Sequence, residues 1–401
     1  MQGNELLAGL TSRIPARAAG LERQRFIGSM VDELDPERQG LLRRTVEDFL
    51  GRMATKNASD MDMGGAGCRG RVWYRVFGEK APDEAAPPMS EDECDVLCHS
   101  LVGERQRQFL YENRNLDFSY AIGTNGGRLR YRADLYFELD HLALNMRYIP
   151  NEIRPFKTLG LHPNVVKAIT LAYDKQGLTL VTGITGSGKS STLDSIVDAN
   201  NQTASAHIVV VGSPIETVHE PKKSIVRHRE VGNDVPSFKD GAVQALRQDP
   251  DIIVIGEMRD PETIFTALEI ADSGHKVFST LHTASAVESI DRIIGECPPA
   301  EQNRVRERLA DVLKCVISQK LVPSLDGKRV LAKEVLLMTP SARAATKNGN
   351  TGEIYQMMHE GGDSGMNILE QDLARLVEEG AISATEAVNY ANNKRRMEEL
   401  L

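Results

Sequence analysis

Short apolar runs separated by helix-length polar stretches dominate the second half of the chain. Leu178–Val181, His207–Val211, Ile252–Ile255 and Val277–Leu281 are the clearest of them. Runs this short, with no polar alternation, predict strands buried on both faces, and the intervals between them are long enough for crossover helices. The pattern predicts an α/β domain with a largely parallel sheet. From Glu301 onward the spacing predicts helices.

The first half reads differently. Leu42, Val46 and Leu50 recur at helical spacing in a stretch rich in Leu, Arg and Glu, which predicts a helical N-terminal extension over residues 1–50. Residues 51–148 predict a smaller α+β domain. Its strands are expected at Val72–Phe77, Leu116–Ile122, Leu129–Phe137 and His141–Tyr148, with a helix over Glu91–Tyr111. The stretch Lys80–Met89 reads as a loop and Thr124–Gly127 as a turn. Pro150 and Pro155 break regular structure and mark a linker over 149–157. Residues 158–401 are left as the α/β domain with a helical C-terminal part.

Composition narrows the function classes. At 401 residues, 41% apolar and 26% charged, the chain can bury two sizeable cores. A net charge of −9 argues against a broad nucleic-acid surface. Five cysteines in so long a chain do not form a disulfide framework. Cys94 and Cys98 stand at i, i+4, but no second Cys/His pair at zinc spacing follows, so they read as helix positions. No apolar run approaches the ~20 residues of a membrane helix, and the N-terminus lacks a basic segment followed by an apolar one. The expected location is the cytoplasm.

The sharpest chemical signal is Gly183-Ile184-Thr185-Gly186-Ser187-Gly188-Lys189-Ser190, which fits G-x-x-x-x-G-K-[ST] between an apolar strand and a helical stretch. Glycines let backbone N–H groups turn inward around phosphate oxygens, and a helix N-terminus adds partial positive charge. The candidate nucleotide-binding residues are Gly183, Thr185, Gly186, Ser187, Gly188, Lys189, Ser190 and Ser191. Lys189 is expected at the β/γ-phosphates of ATP, and the Ser190 hydroxyl at Mg²⁺. The second signal is Asp249-Pro250-Asp251-Ile252-Ile253-Val254-Ile255-Gly256-Glu257, an apolar strand ending in an acid. Glu257 is the candidate that holds Mg²⁺ or its waters. Glu216 follows the strand Val209–Val211 and is either an acid that orients the attacking water or a surface ion-pair partner. His275 and His282 flank Lys276–Leu281; they are either γ-phosphate sensors or ordinary core and surface histidines.

Together these pieces resemble the secretion-ATPase superfamily, and within it the PilT-like type IV pilus retraction ATPases. The resemblance runs from about Lys56 to Val388. Asn57-Ala58-Ser59-Asp60-Met61-Asp62-Met63 is similar to the family's opening A-S-D-[LM]-H-[LI], with Asp62 in place of His. Arg229-Glu230-Val231, Gly256-Glu257-Met258-Arg259-Asp260, the histidine box Gly274–Thr283 and Gly361-Gly362-Asp363-Ser364-Gly365-Met366 follow in the family's order. The resemblance implies a PAS-like N-terminal domain, a RecA-like ATPase domain and a homo-hexamer with ATP between protomers. It also implies an inner-membrane pilus platform protein as partner, with membrane contact only through partners. Arg132 and Arg147 stand where the family has arginines that reach nucleotide phosphates, and the other reading of them is two solvated strand charges.

Two departures stand out. The family's aspartate box, E-D-P-I-E, is here Gly212-Ser213-Pro214-Ile215-Glu216, so two upstream acids are gone while Glu216 remains. After Thr339-Pro340 the family's A-I-R-N-L-I-R-E is replaced by Ser341-Ala342-Arg343-Ala344-Ala345-Thr346-Lys347-Asn348, which keeps one arginine. The expected function is a retraction motor. The alternatives are an assembly, secretion or conjugation ATPase of the same superfamily, or a nucleotide-binding scaffold. The run Gln319–Val335 carries no cysteine, which speaks against the tetracysteine module of the assembly type.

Overall fold

The structure is a computed structural model and describes residues 2–124, 127–150 and 152–401. Asn125 and Gly126 of the expected turn, and Asn151 of the expected linker, lie outside the described residues. The chain divides into two compact units, 1–151 and 152–401.

The first unit is built on a six-stranded antiparallel sheet. Its strands are β1 (Asp60–Gly64), β2 (Trp73–Val76), β3 (Glu79–Pro82), β4 (Asn115–Thr124), β5 (Gly127–Glu138) and β6 (His141–Ile149), in the order β3-β2-β1-β6-β5-β4. Alternating residues such as Tyr131, Ala133 and Leu135 are buried, and helices cover that face. The helices Gln2–Thr11, Gly20–Asp32 and Pro36–Thr55 do not stand apart as an extension. Leu10, Ile27, Met30, Leu42, Val46 and Leu50 share one core with Met61, Tyr131 and Met146 of the sheet. The helix expected over Glu91–Tyr111 is two helices, Glu91–Ser100 and Glu104–Asn113, because Gly103 takes an extended conformation and starts the second. The sequence pattern does not predict β1 or β3: β1 is short and carries two aspartates, and β3 reads as loop.

The second unit holds a seven-stranded sheet of β7 (Gly177–Thr182), β8 (His207–Gly212), β9 (Ile225–Glu230), β10 (Ile252–Ile255), β11 (Lys276–Leu281), β12 (Leu313–Pro323) and β13 (Arg329–Leu337). The order is β13-β12-β7-β11-β10-β8-β9, parallel except for the β12/β13 hairpin. The central strands β7, β10 and β11 are buried at every position, as expected of a parallel sheet covered by helices on both faces. Two strands interrupt the segment that the sequence pattern assigns to helix after Glu301. The β-branched run Val316-Ile317 gains full burial only by lying beside β7, a tertiary gain that helical spacing does not register.

Candidate nucleotide site

All the parallel strands point one way, so the loops that leave their C-terminal ends gather along one edge of the sheet. The P-loop leaves β7, the Glu216 loop leaves β8, Gly256-Glu257 leaves β10 and His282 leaves β11.

Residues 183–188 turn sharply, and the helix Lys189–Thr203 begins directly after them. Gly186 and Gly188 hold φ of 78° and 87°, which favours glycine. A Cβ on Gly183 would run into the Ser187 hydroxyl and the Gln319 carbonyl. Lys189 curls back over its own loop: Nζ donates to the carbonyls of Gly183 at 2.9 Å and Ile184 at 3.1 Å and lies 3.4 Å from His282 Nδ1. Burial lowers the Lys189 ammonium below its ordinary range, while the charges of Glu257 and Glu216 oppose that shift. Burial, and next the Lys189 charge, likewise push the His282 imidazolium down, which favours the neutral ring beside the ammonium. Thr185, Ser190 and Ser191 are exposed on the loop and the first helical turn.

Glu257 is mostly buried. Its Oε2 lies 2.6 Å from Arg259 Nε and 3.6 Å from His282 Nε2. A cavity of about 480 Å³ opens over this group, lined by Thr185, Glu257, Arg259, His282 and Arg292. Arg292 donates to the His282 carbonyl at 3.1 Å. A second cavity, of about 500 Å³, is lined by Gly188, Ser191 and Thr192 at the start of the P-loop helix, by Leu159, Leu321 and Leu331, and by the charged side chains of Arg329, Lys333 and Arg375. A lining that combines helix N-terminal residues, aliphatic side chains and several cations suits a ligand with an anionic end and a flat apolar end.

The structure thus brings Lys189, Ser190, Glu216, Glu257 and His282 to one edge. His275 is not among them. It sits at the opposite end of β11, with Nδ1 2.9 Å from the Ser273 hydroxyl; at about 3.3 Å per residue the strand separates it from His282 by roughly 20 Å. Arg132 and Arg147 belong to the first unit, where they stand directly opposite each other on β5 and β6. Like charges so placed repel, and each has an acid: Arg147 Nε donates to Asp60 Oδ1 at 2.8 Å, and Arg132 Nε to Asp117 Oδ1 at 3.3 Å. Burial alone would raise the Asp60 carboxyl, but hydrogen bonds from Ser59 and Arg147 and the charges of Arg147 and Arg75 hold it below its ordinary value.

Sequence reasoning gave no role to Gln319, Arg259 or Arg292. Gln319 Nε2 reaches across from β12 to donate to the Ser187 carbonyl at 2.7 Å. That contact joins residues 132 apart in the chain, and no local pattern announces it.

Residues 137–397 match the model of the Type II/IV secretion system protein family. The chain belongs to that family. It is a P-loop ATPase of this family, similar to the type IV pilus retraction ATPase PilT of Pseudomonas aeruginosa, with 38% identity over 85% of this chain and 96% of that one. Among solved structures it is similar to the pilus retraction motor PilT with bound ADP, at TM-score 0.77 and 37% identity, covering 88% of this chain and 98% of that one. The ATPase DotB of Legionella pneumophila follows at TM-score 0.76 and 28% identity, covering 86% and 94%. Among the described residues no helix is long and apolar enough to cross a membrane.

Proposed function

We propose that this chain is the ATPase of a hexameric motor that couples ATP hydrolysis to type IV pilus retraction. The observation that carries the reading is the group at the end of the parallel strands, Lys189 with Glu257 and His282, in a chain that matches PilT along nearly the whole PilT length. In this reading the phosphates of ATP lie on the P-loop and its helix N-terminus, and the base enters the partly aliphatic cavity beside Ser191 and Thr192. Lys189 leaves its own loop carbonyls for the β/γ-phosphates. The Ser190 hydroxyl and the Glu257 carboxylate, both hard oxygen donors, suit Mg²⁺ and would hold it. When bound, Mg²⁺ neutralises phosphate charge. Glu216 orients the attacking water, His282 reads the γ-phosphate, and Arg132 and Arg147 act on phosphate oxygens once the ring closes. His275 has no part in this site. The motor works on the cytoplasmic side and meets the membrane through a platform protein.

A second reading, a secretion or conjugation ATPase, has its own support. The family model that matches is that of the Type II/IV secretion system proteins, and the absence of acids at Gly212 and Ser213 and the segment after Thr339-Pro340 depart from the retraction pattern. Two measurements test the readings. Phosphate release by the purified chain should depend on Mg²⁺ and vanish in Lys189→Ala. Expression in a Pseudomonas aeruginosa strain that lacks PilT should restore twitching. ATPase activity without restored twitching favours the secretion reading, and no turnover in the presence of bound ATP favours a scaffold.

A further inference from the structure

The loop that carries Glu216 is laced to the P-loop helix by side chains of that helix. Asp194, Asp198 and Asn201 stand at i, i+4 and i+7, on one face of the helix that begins at Lys189. Together they hold the segment after Glu216 from Thr217 to Lys222. Asp194 Oδ2 accepts from the Thr217 hydroxyl at 2.7 Å, and its Oδ1 lies 3.3 Å from Nε2 of the buried His219. Asp198 accepts from Lys222 Nζ at 2.7 Å. Asn201 accepts from the Lys222 N–H at 3.0 Å through its side chain and donates to the Glu220 carbonyl at 2.8 Å. From the other side, Glu230 of β9 accepts the Ile215 N–H at 3.1 Å. The two residues that flank Glu216 are therefore each held by a carboxylate, one from the sheet edge and one from the helix whose first turn carries Ser190.

We propose that Asp194 is a positioning residue for Glu216. Through Thr217 and His219 it fixes the Glu216 loop in the frame of the P-loop helix, so that the carboxylate and the phosphate-binding turn keep a fixed spacing. This rests on the reading that Glu216 works on the attacking water. The residue touches no nucleotide itself. Its effect runs through the placement of a neighbouring group, and misplacement by about 1 Å can cost up to roughly a hundredfold in rate.

The test measures steady-state MgATP hydrolysis by the full-length chain. Asp194→Ala is expected to lower kcat about tenfold while KM for ATP stays within about twofold, since the P-loop is intact. Asp194→Asn keeps an acceptor for the Thr217 hydroxyl and should recover most of the loss. Thr217→Val removes the same bond without touching the helix and should lower kcat in the same sense, which keeps the proposal testable if Asp194→Ala folds poorly. In the Glu216→Gln background, adding Asp194→Ala should cause no further loss. An unchanged kcat in both Asp194→Ala and Thr217→Val, beside a crippled Glu216→Gln, would overturn the positioning role alone. So would a raised KM with normal kcat, or a further loss in the double variant, because both mark a general structural defect. A Glu216→Gln variant at wild-type rate would overturn the reading of Glu216, and the proposal with it.

Discussion

The two units solve opposite problems with charge. In the first, Arg132 and Arg147 face each other across an antiparallel pair and are each neutralised by an acid of a neighbouring strand, Asp117 and Asp60. In the second, Lys189 is held by backbone carbonyls at the edge of a parallel sheet, and the acids nearby, Glu257 and Glu216, compete with burial rather than with a fixed ion pair. An ion-paired arginine on a strand is stable as it stands. A buried ammonium held on neutral carbonyls can exchange them for an anion, and in the proposed reading a phosphate is that anion. The difference lies in the sheets. Parallel strands bring several loops to one edge, whereas an antiparallel sheet spreads its turns over both ends.

The largest expected effect tests the ammonium. Lys189→Ala should lower ATP turnover by more than about a hundredfold, the scale of losing a main electrostatic group at a phosphoryl-transfer site. A rate within twofold of wild type would break the comparison at its root.

Glu216→Gln and Glu257→Gln should each lose about a hundredfold in kcat, and they should differ in their metal titration. Glu257→Gln should require more Mg²⁺, and Glu216→Gln should titrate like wild type. Superimposable Mg²⁺ curves would show that the two acids share one role.

A buried acid of the second unit gives a pH signature. Glu334 accepts from the Ala286 N–H, and burial, opposed by that bond and added to by Glu370, pushes its carboxyl up to about 7. The folded state then binds the proton more tightly than the unfolded chain, with its ordinary value of 4.5. The stabilisation is full below the unfolded value and is lost as pH rises through the folded one. Between pH 5 and 8 the loss should be on the order of 2 kcal/mol, read as a falling thermal midpoint. Glu334→Gln should flatten that dependence. A midpoint that rises over this range in wild type would contradict the burial argument.

Smaller still is the effect of Arg147→Ala. The Arg147 side chain is 67% exposed, so its ion pair with Asp60 should contribute less than about 1 kcal/mol to stability. Turnover should nevertheless fall about tenfold if the guanidinium acts on phosphate in the closed ring. Mixing Arg147→Ala with Lys189→Ala protomers should restore activity if that action crosses a protomer boundary. A mixture that stays inactive while subunits are shown to exchange would remove the trans role. Least of all should come from His275→Ala, whose turnover is expected within about twofold of wild type while His282→Ala loses about tenfold or more. Equal losses would mean that the far end of β11 matters to the site.

Much of the second unit was legible in the chain. Unbroken apolar runs such as Ile252–Ile255 predict buried parallel strands because only a sheet covered on both faces has no polar side to alternate with. Glycine spacing around Lys189 predicts the strand–loop–helix because few other sequences tolerate those backbone angles. By contrast, β12 and β13 were missed, since Val316 and Ile317 fit a helix or a strand equally well until β7 lies beside them. The N-terminal helices read as an extension because partners such as Tyr131 and Met146 are distant in sequence.

What the sequence determined by itself was local: which segments could be strands, where the chain had to turn, and which groups could meet phosphate. What only the tertiary structure decided was adjacency. It put His282 at the P-loop and His275 at the other end of the same strand, although the sequence presents them as a matched pair. It gave Ser187 a partner from β12 in Gln319, and the Glu216 loop a pair of carboxylates in Asp194 and Glu230. These contacts to Ser187 and the Glu216 loop join positions 15 to 132 apart in the chain, and their residue types are common everywhere in it. Their meaning comes from the order in which seven strands line up, which is set by the burial of the whole sheet and not by any one segment.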